Sequence, residues 1–112
     1  MKKEKLFEKK FSSTESKRVM GLLRSRIESL DNVYKISDKP YLIPGKFNTT
    51  RSVEQVSYLL TNNEERVFGT LMIEDMPVFQ ERSLSVDFLY NGDKSRTDKM
   101  AKLRELVETV CD

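Results

Sequence analysis

The residues best suited to chemistry in this chain are two pairs of adjacent carboxylates, Glu64-Glu65 and Glu74-Asp75, and a single thiol, Cys111. Carboxylates in pairs can move a proton or hold a divalent cation through oxygen. Both pairs fall at the ends of extended segments, where acids are ordinarily solvated and neighbours along a strand point to opposite faces. Cys111 has no histidine or cationic cluster near it in sequence to favour the thiolate, so an inert thiol is expected. The chain has no histidine, which removes the commonest general acid–base group and metal ligand near neutral pH. No Asp-x-Asp-x-Asp-Gly loop for calcium is present, and residues 42–46, Leu-Ile-Pro-Gly-Lys, lack the spaced glycines of a phosphate loop. No catalytic set, metal site or cofactor is therefore expected. A histidine-independent nuclease using Glu, Tyr, Lys and Arg stands third among the functional readings.

Cations are the next candidates. Residues 1–56 carry 13 Lys/Arg against 7 Asp/Glu, and residues 57–112 carry 7 against 11, giving balances of +6 and −4 within a net charge of +2. Such asymmetry marks either a basic binding face or a chance fluctuation in a charge-rich chain. Lys2, Lys3, Lys5, Lys9 and Lys10, followed by Lys17, Arg18 and Arg24, could neutralise several phosphates. On a helical wheel Lys17 and Arg24 lie on one flank and Arg18 on another, and Glu4, Glu8, Glu15 and Glu28 dilute the field. No RNP aromatic run, GXXG loop or zinc finger occurs, so base-specific readout has no support.

Apolar residues in a connection are the third feature. Met76, Val78 and Phe79 surround Pro77 in the link expected between two strands, and Tyr41-Leu42-Ile43 sits between Pro40 and Pro44. Loops run over the surface, so these residues either fold back onto the core or meet a partner. Met76, Val78, Phe79, Tyr41 and Leu42 are the candidate partner-binding residues.

The elements that would position these groups follow from periodicity. Residues 1–11 read as a Lys-rich N-terminal arm and 12–112 as a single α+β domain. Ser12 and Glu15 form a capping-box pattern. Beyond it Val19, Met20, Leu23, Ile27 and Leu30 recur at helical spacing, with a stop near Asp31-Asn32. Val33–Ser37 and Tyr41–Ile43 read as short strands. A second helix is expected to begin around Thr50 to Ser52, with Val53, Val56, Leu59 and Leu60 on one face and Asn62-Asn63 as its stop. Arg66–Ile73 is apolar on both faces, as a strand buried on both sides would be. Ser83–Tyr90 alternates with Leu84, Val86, Phe88 and Tyr90 inward and Asp87 outward. After the turn signal Asn91-Gly92-Asp93, Ser95 or Thr97 caps a last helix with the stripe Met100, Leu103, Val107 and Val110.

The fold class expected is α+β: a small antiparallel sheet packed against about three helices, in the order α-ββ-α-β-β-α. With 112 residues and one cysteine, no internal disulfide is available. No apolar run approaches the roughly 18 residues of a membrane span. A soluble, cytoplasmic protein without membrane association is expected. Between Thr50 and Tyr90 the layout of helix, Glu64-Glu65-Arg66, strand, apolar loop and strand resembles the C-terminal part of bacteriophage baseplate-wedge (sheath-initiator) proteins. No diagnostic motif of that family is intact, and membership is not read from it. The functional reading is a non-catalytic module acting on a protein partner, as a regulatory, inhibitory or assembly protein. Nucleic-acid binding is the alternative, and self-association into a homo-oligomer is left open.

Overall fold

The computed structural model describes residues 2–61, 67–90 and 97–111. Among them the order is β1 (Lys2–Phe11), α1 (Ser13–Glu28), β2 (Val33–Asp38), β3 (Tyr41–Pro44), β4 (Thr50–Thr61), β5 (Val67–Val78), β6 (Glu81–Tyr90) and α2 (Thr97–Cys111), with a short 3-10 turn at Lys46–Asn48. The strands form one six-stranded antiparallel sheet in the order β1-β6-β5-β4-β2, and β3 pairs with the other end of β4. The α+β class holds. The expected layer of three helices does not, because the described residues contain two, one following β1 and one closing the chain.

Two segments account for the difference. Residues 50–61 are a strand rather than the second helix. Val53, Val56, Leu59 and Leu60 match a helical face by spacing, but the buried residues that line the core are Val56, Tyr58 and Leu60, at period two. They lie opposite Ile73, Leu71 and Gly69 of β5, and such cross-strand burial decides a segment rich in Val, Ser, Thr and Tyr, which are weak helix formers. The layout that carried the phage-protein resemblance goes with that helix. Residues 2–11 are the second correction: the Lys-rich arm is an edge strand paired to β6. A register shift between Lys5 and Phe7 places Leu6 as an extra residue, and Leu6 and Phe7 both reach the core. Bulges of this kind disturb alternation, which hid the strand in the sequence. The lysines suit the role, since charges on an edge strand discourage pairing with another chain.

The link expected around Pro77 is also shorter than its apolar residues suggest. β5 runs on to Val78, and β6 begins at Glu81, leaving Phe79-Gln80 as a two-residue hairpin turn. Gly69 of β5 allows a close approach: a Cβ there would stand 2.5 Å from the Phe88 ring and 2.6 Å from the Leu89 carbonyl oxygen.

Helix α1 follows the reading closely. The Ser12 side chain accepts from the Glu15 amide at 3.2 Å, and Val19, Met20, Leu23 and Ile27 are buried, while Leu30 lies beyond the helix and is exposed. They pack with Leu103, Val107 and Cys111 of α2 against Leu6, Phe11, Val56, Tyr58, Leu71, Ile73, Leu84, Val86 and Phe88 of the sheet. The helices cover one face of the sheet only. Asp87, on the other face, is buried rather than solvated, and its Oδ1 has no hydrogen-bond partner among the described residues; Lys3 Nζ stands 4.0 Å from its other oxygen. Glu64-Glu65, Asn62-Asn63, Arg66, Asn91-Gly92-Asp93 and Ser95 lie outside the described residues, as do the side chains of Lys2 and Met100. No helix among the described residues is long and apolar enough to cross a membrane.

Candidate functional site

The hairpin turn between β5 and β6 places Phe79 at one end of the sheet, 81% exposed. Its φ is 55°. Among two-residue hairpin loops, a positive φ at the first turn position alone is the type II′ pattern, where glycine is favoured. A phenylalanine there holds its ring in solvent at a cost in backbone strain. On the neighbouring connection, after Pro44-Gly45, the turn Lys46–Asn48 carries Phe47, 95% exposed and also left-handed (φ 56°, ψ 44°). The two phenylalanines line one apolar cleft with Ile43, Pro44 and Pro77. Arg51 joins the two connections, its Nη2 donating to the Phe79 carbonyl oxygen at 2.6 Å.

The other candidate partner-binding residues divide. Leu42 is exposed, and Tyr41 is on the edge of exposure, its hydroxyl donating to Glu74 Oε2 at 3.0 Å. Met76 and Val78 are half-buried within β5. They occupy positions alternating with Asp75 and Pro77, on the sheet face that the helices leave open. The fold-back of Phe79 does not occur. No pattern in the sequence singles out Phe47, although Pro44-Gly45 just before it favours a turn that presents it.

The cations of the alternative reading are spread over two elements. Lys5 pairs with Glu8, Arg18 with Glu15 and Arg24 with Asp38. Lys9 lies over the Phe11 ring, 5.3 Å from its centroid. Lys10 is exposed, and Lys17 lines a groove beside α1. The neutralised carboxylates show in their titration: Arg24, and then Lys35, holds Asp38 below the usual carboxylate range.

The groove, of about 980 Å³, lies between α1 and the sheet, with Ser52, Glu54, Asp75 and Arg82 on the sheet side. Asp75, the buried member of the Glu74-Asp75 pair, accepts from Ser16 Oγ at 2.7 Å and from Arg82 Nε at 2.8 Å. Arg82 Nη2 also donates to the Ser52 and Asp75 carbonyl oxygens. Asp75 is thus a structural anchor between helix and sheet, with both carboxylate oxygens engaged. Glu74 turns the other way, accepting from Tyr41 and Gln55. No cluster of three or more metal-ligating side chains occurs among the described residues, and Cys111 is buried.

Toward the far end of α1, Glu28, Lys35 and Asp38 continue the network, with Lys35 Nζ 3.2 Å from Glu28 and 3.4 Å from Asp38. Close by, the Tyr58 hydroxyl is buried with the Arg24 guanidinium near it, but it makes no hydrogen bond of good geometry among the described residues. Burial, with the Glu28 charge adding to it and Arg24 opposing it, pushes its pKa up to about 12. Tyr58→Phe is expected to stabilise the protein by about 1 kcal/mol at pH 8, since it removes an unsatisfied buried group. The neutral phenol supports the fold fully below the unfolded pKa near 10. That support is lost as pH rises through about 12. Denaturant titrations should therefore show the advantage of Tyr58→Phe widening by roughly 2 kcal/mol across that window. A constant difference would mean the hydroxyl is hydrated.

No family model and no curated protein matches the chain. Among solved structures, the crystal structure of Ara h 8.0201 is similar over 98% of each chain, at 10% identity and a TM-score of 0.30, a likeness too slight to carry an argument about fold or function.

Proposed function

We propose that this chain is a non-catalytic binding module that engages a protein partner through the end of the sheet carrying Phe47 and Phe79. The observation that supports the reading is the pairing of two nearly fully exposed phenylalanines on left-handed backbone in one cleft. Each ring costs the free chain hydration free energy and strain, and a covering partner removes the first of these. Aromatic side chains set centrally in a docking cleft are typical interface anchors. Nucleic-acid binding stays second, because Lys5, Arg18 and Arg24 already have carboxylate partners.

Phe79→Gly separates the two roles of this turn. Glycine meets the positive φ without strain, so the free protein should be unchanged or stabilised by about 0.5–1 kcal/mol. The double variant F47S/F79G should keep the fold and lose the proteins that co-purify with the wild-type chain after nuclease treatment. Retention of the same proteins by the variant, or their loss from the wild type on nuclease treatment, would refute the reading. A drop of more than about 2 kcal/mol for Phe79→Gly would instead show a buried ring.

A further inference from the structure

We infer that the partner segment taken up at this end is an acidic, apolar peptide, an inference that rests on the reading above and gives its partner a chemistry. The cleft between Phe47 and Phe79, about 740 Å³, is lined by two cations, Lys46 and Arg51, and by no carboxylate among the described residues. Lys5, Arg18, Arg24, Lys35, Arg82 and Arg104 each have a carboxylate within ion-pair distance, and the exposed cations that have none among the described residues, such as Lys10, Lys17 and Lys39, lie away from this cleft. Lys46 and Arg51 have none among the described residues. Arg51 is nevertheless held in place, because one of its N–H groups donates to the Phe79 carbonyl oxygen at 2.6 Å. Its remaining donors are free to take a carboxylate, and a guanidinium fixed in position suits that acceptor. The cleft thus presents apolar walls for an anchor side chain and two unanswered positive charges at its rim. The complement is a segment with Leu or Phe anchors flanked by Asp or Glu. Charge of this kind steers encounter and selects between partners more than it adds affinity.

The test uses the full chain and three dye-labelled peptides of about twelve residues, read by fluorescence anisotropy. One carries Leu and Phe among Glu and Asp, the second keeps the apolar residues but has Lys for every acid, and the third keeps the acids but has Ser for every apolar residue. The acidic apolar peptide should bind at least ten times more tightly than either other peptide at low salt. Its preference over the basic one should shrink several-fold at 0.5 M salt, where screening is short-ranged. K46E, and K46E/R51E more strongly, should invert the preference between the acidic and basic peptides, while F47S/F79G should abolish binding of both. Equal affinity for the acidic and basic apolar peptides, lost in F47S/F79G, would overturn the charge inference and leave the apolar-end reading standing. Absence of binding to the acidic apolar peptide at 1 mM would overturn the inference, while co-purification with the F47S/F79G variant judges the underlying reading separately. Self-association lost in F47S/F79G would put a second copy in the cleft, and co-sedimentation with phosphatidylserine vesicles would put a lipid surface there; either result overturns the peptide.

Discussion

Arg82→Ala is expected to cost roughly 3 kcal/mol or more in a urea titration, as breaking one side of a buried ion pair does. The guanidinium ties together three strands: it reaches the Asp75 carboxylate of β5, the Ser52 carbonyl of β4 and the Asp75 carbonyl. Asp75 in turn accepts from Ser16 of α1. Its side chain is 4% exposed, against 20% for Arg82, so truncating the arginine strands a desolvated carboxylate with one hydroxyl as partner. Some water can follow through the groove that Arg82 lines, which places the cost toward the lower end of the range for buried pairs. Arg82→Lys keeps the charge but loses the fork, and should cost about 1–2 kcal/mol. Replacing both partners by leucine should cost less than Arg82→Ala alone, because no uncompensated charge is left. A loss under 1 kcal/mol for Arg82→Ala would mean that water substitutes fully for the guanidinium and that the pair does not hold α1 to the sheet.

This pair also illustrates what could be read from the residues alone. Adjacent acids at Glu74-Asp75 were legible as opposite-facing neighbours, and they do point apart, one to Arg82 and Ser16 and the other to Tyr41 and Gln55. That Asp75 is buried depends on α1 crossing it, 59 residues away in the chain, which no local pattern reports. Helix α1 was legible because its cap and its stripe are both local signals, Ser12 with Glu15 and Val19 through Ile27. β6 was legible because Leu84, Val86 and Phe88 alternate without interruption. β4 is ambiguous in sequence because Val53, Val56, Leu59 and Leu60 satisfy a period near 3.6 as well as Val56, Tyr58 and Leu60 satisfy a period of two. Partners on both sides, β5 and the β2–β3 edge, settle that ambiguity. At the apolar end, Phe79 was visible beside Pro77, whereas Phe47 needed the three-dimensional neighbourhood of the two turns to gain significance.

Removal of residues 1–11 is expected to abolish cooperative folding. The segment supplies Leu6 and Phe11 to the core and Phe7 against it, and Glu4 forms an ion pair with Arg104 of α2. Burying each large apolar side chain is worth about 1.5–3 kcal/mol. The sum for three is comparable with the whole stability of a small domain, roughly 5–15 kcal/mol. The deletion also uncovers the backbone edge of β6 along its pairing with residues 2–11, a template for aggregation. Leu6→Ala isolates the packing contribution and should cost about 2–4 kcal/mol. Lys9→Ala and Lys10→Ala, on exposed side chains, should stay within about 0.5 kcal/mol. A solvated arm would give the opposite result, with the shortened chain melting as the full one does and Leu6→Ala nearly silent. The deletion is consequently the wrong instrument for the nucleic-acid alternative, since lost binding would only report lost fold. Neutralising Lys3, Lys5, Lys9 and Lys10 to glutamine keeps the apolar residues of β1, so the salt dependence of any nucleic-acid affinity can be read on this variant once its thermal melt shows a cooperative fold despite the loss of Lys3 beside Asp87. A salt slope unchanged by that quadruple variant removes β1 from the nucleic-acid reading, and a slope flattened in proportion to the charges removed restores it.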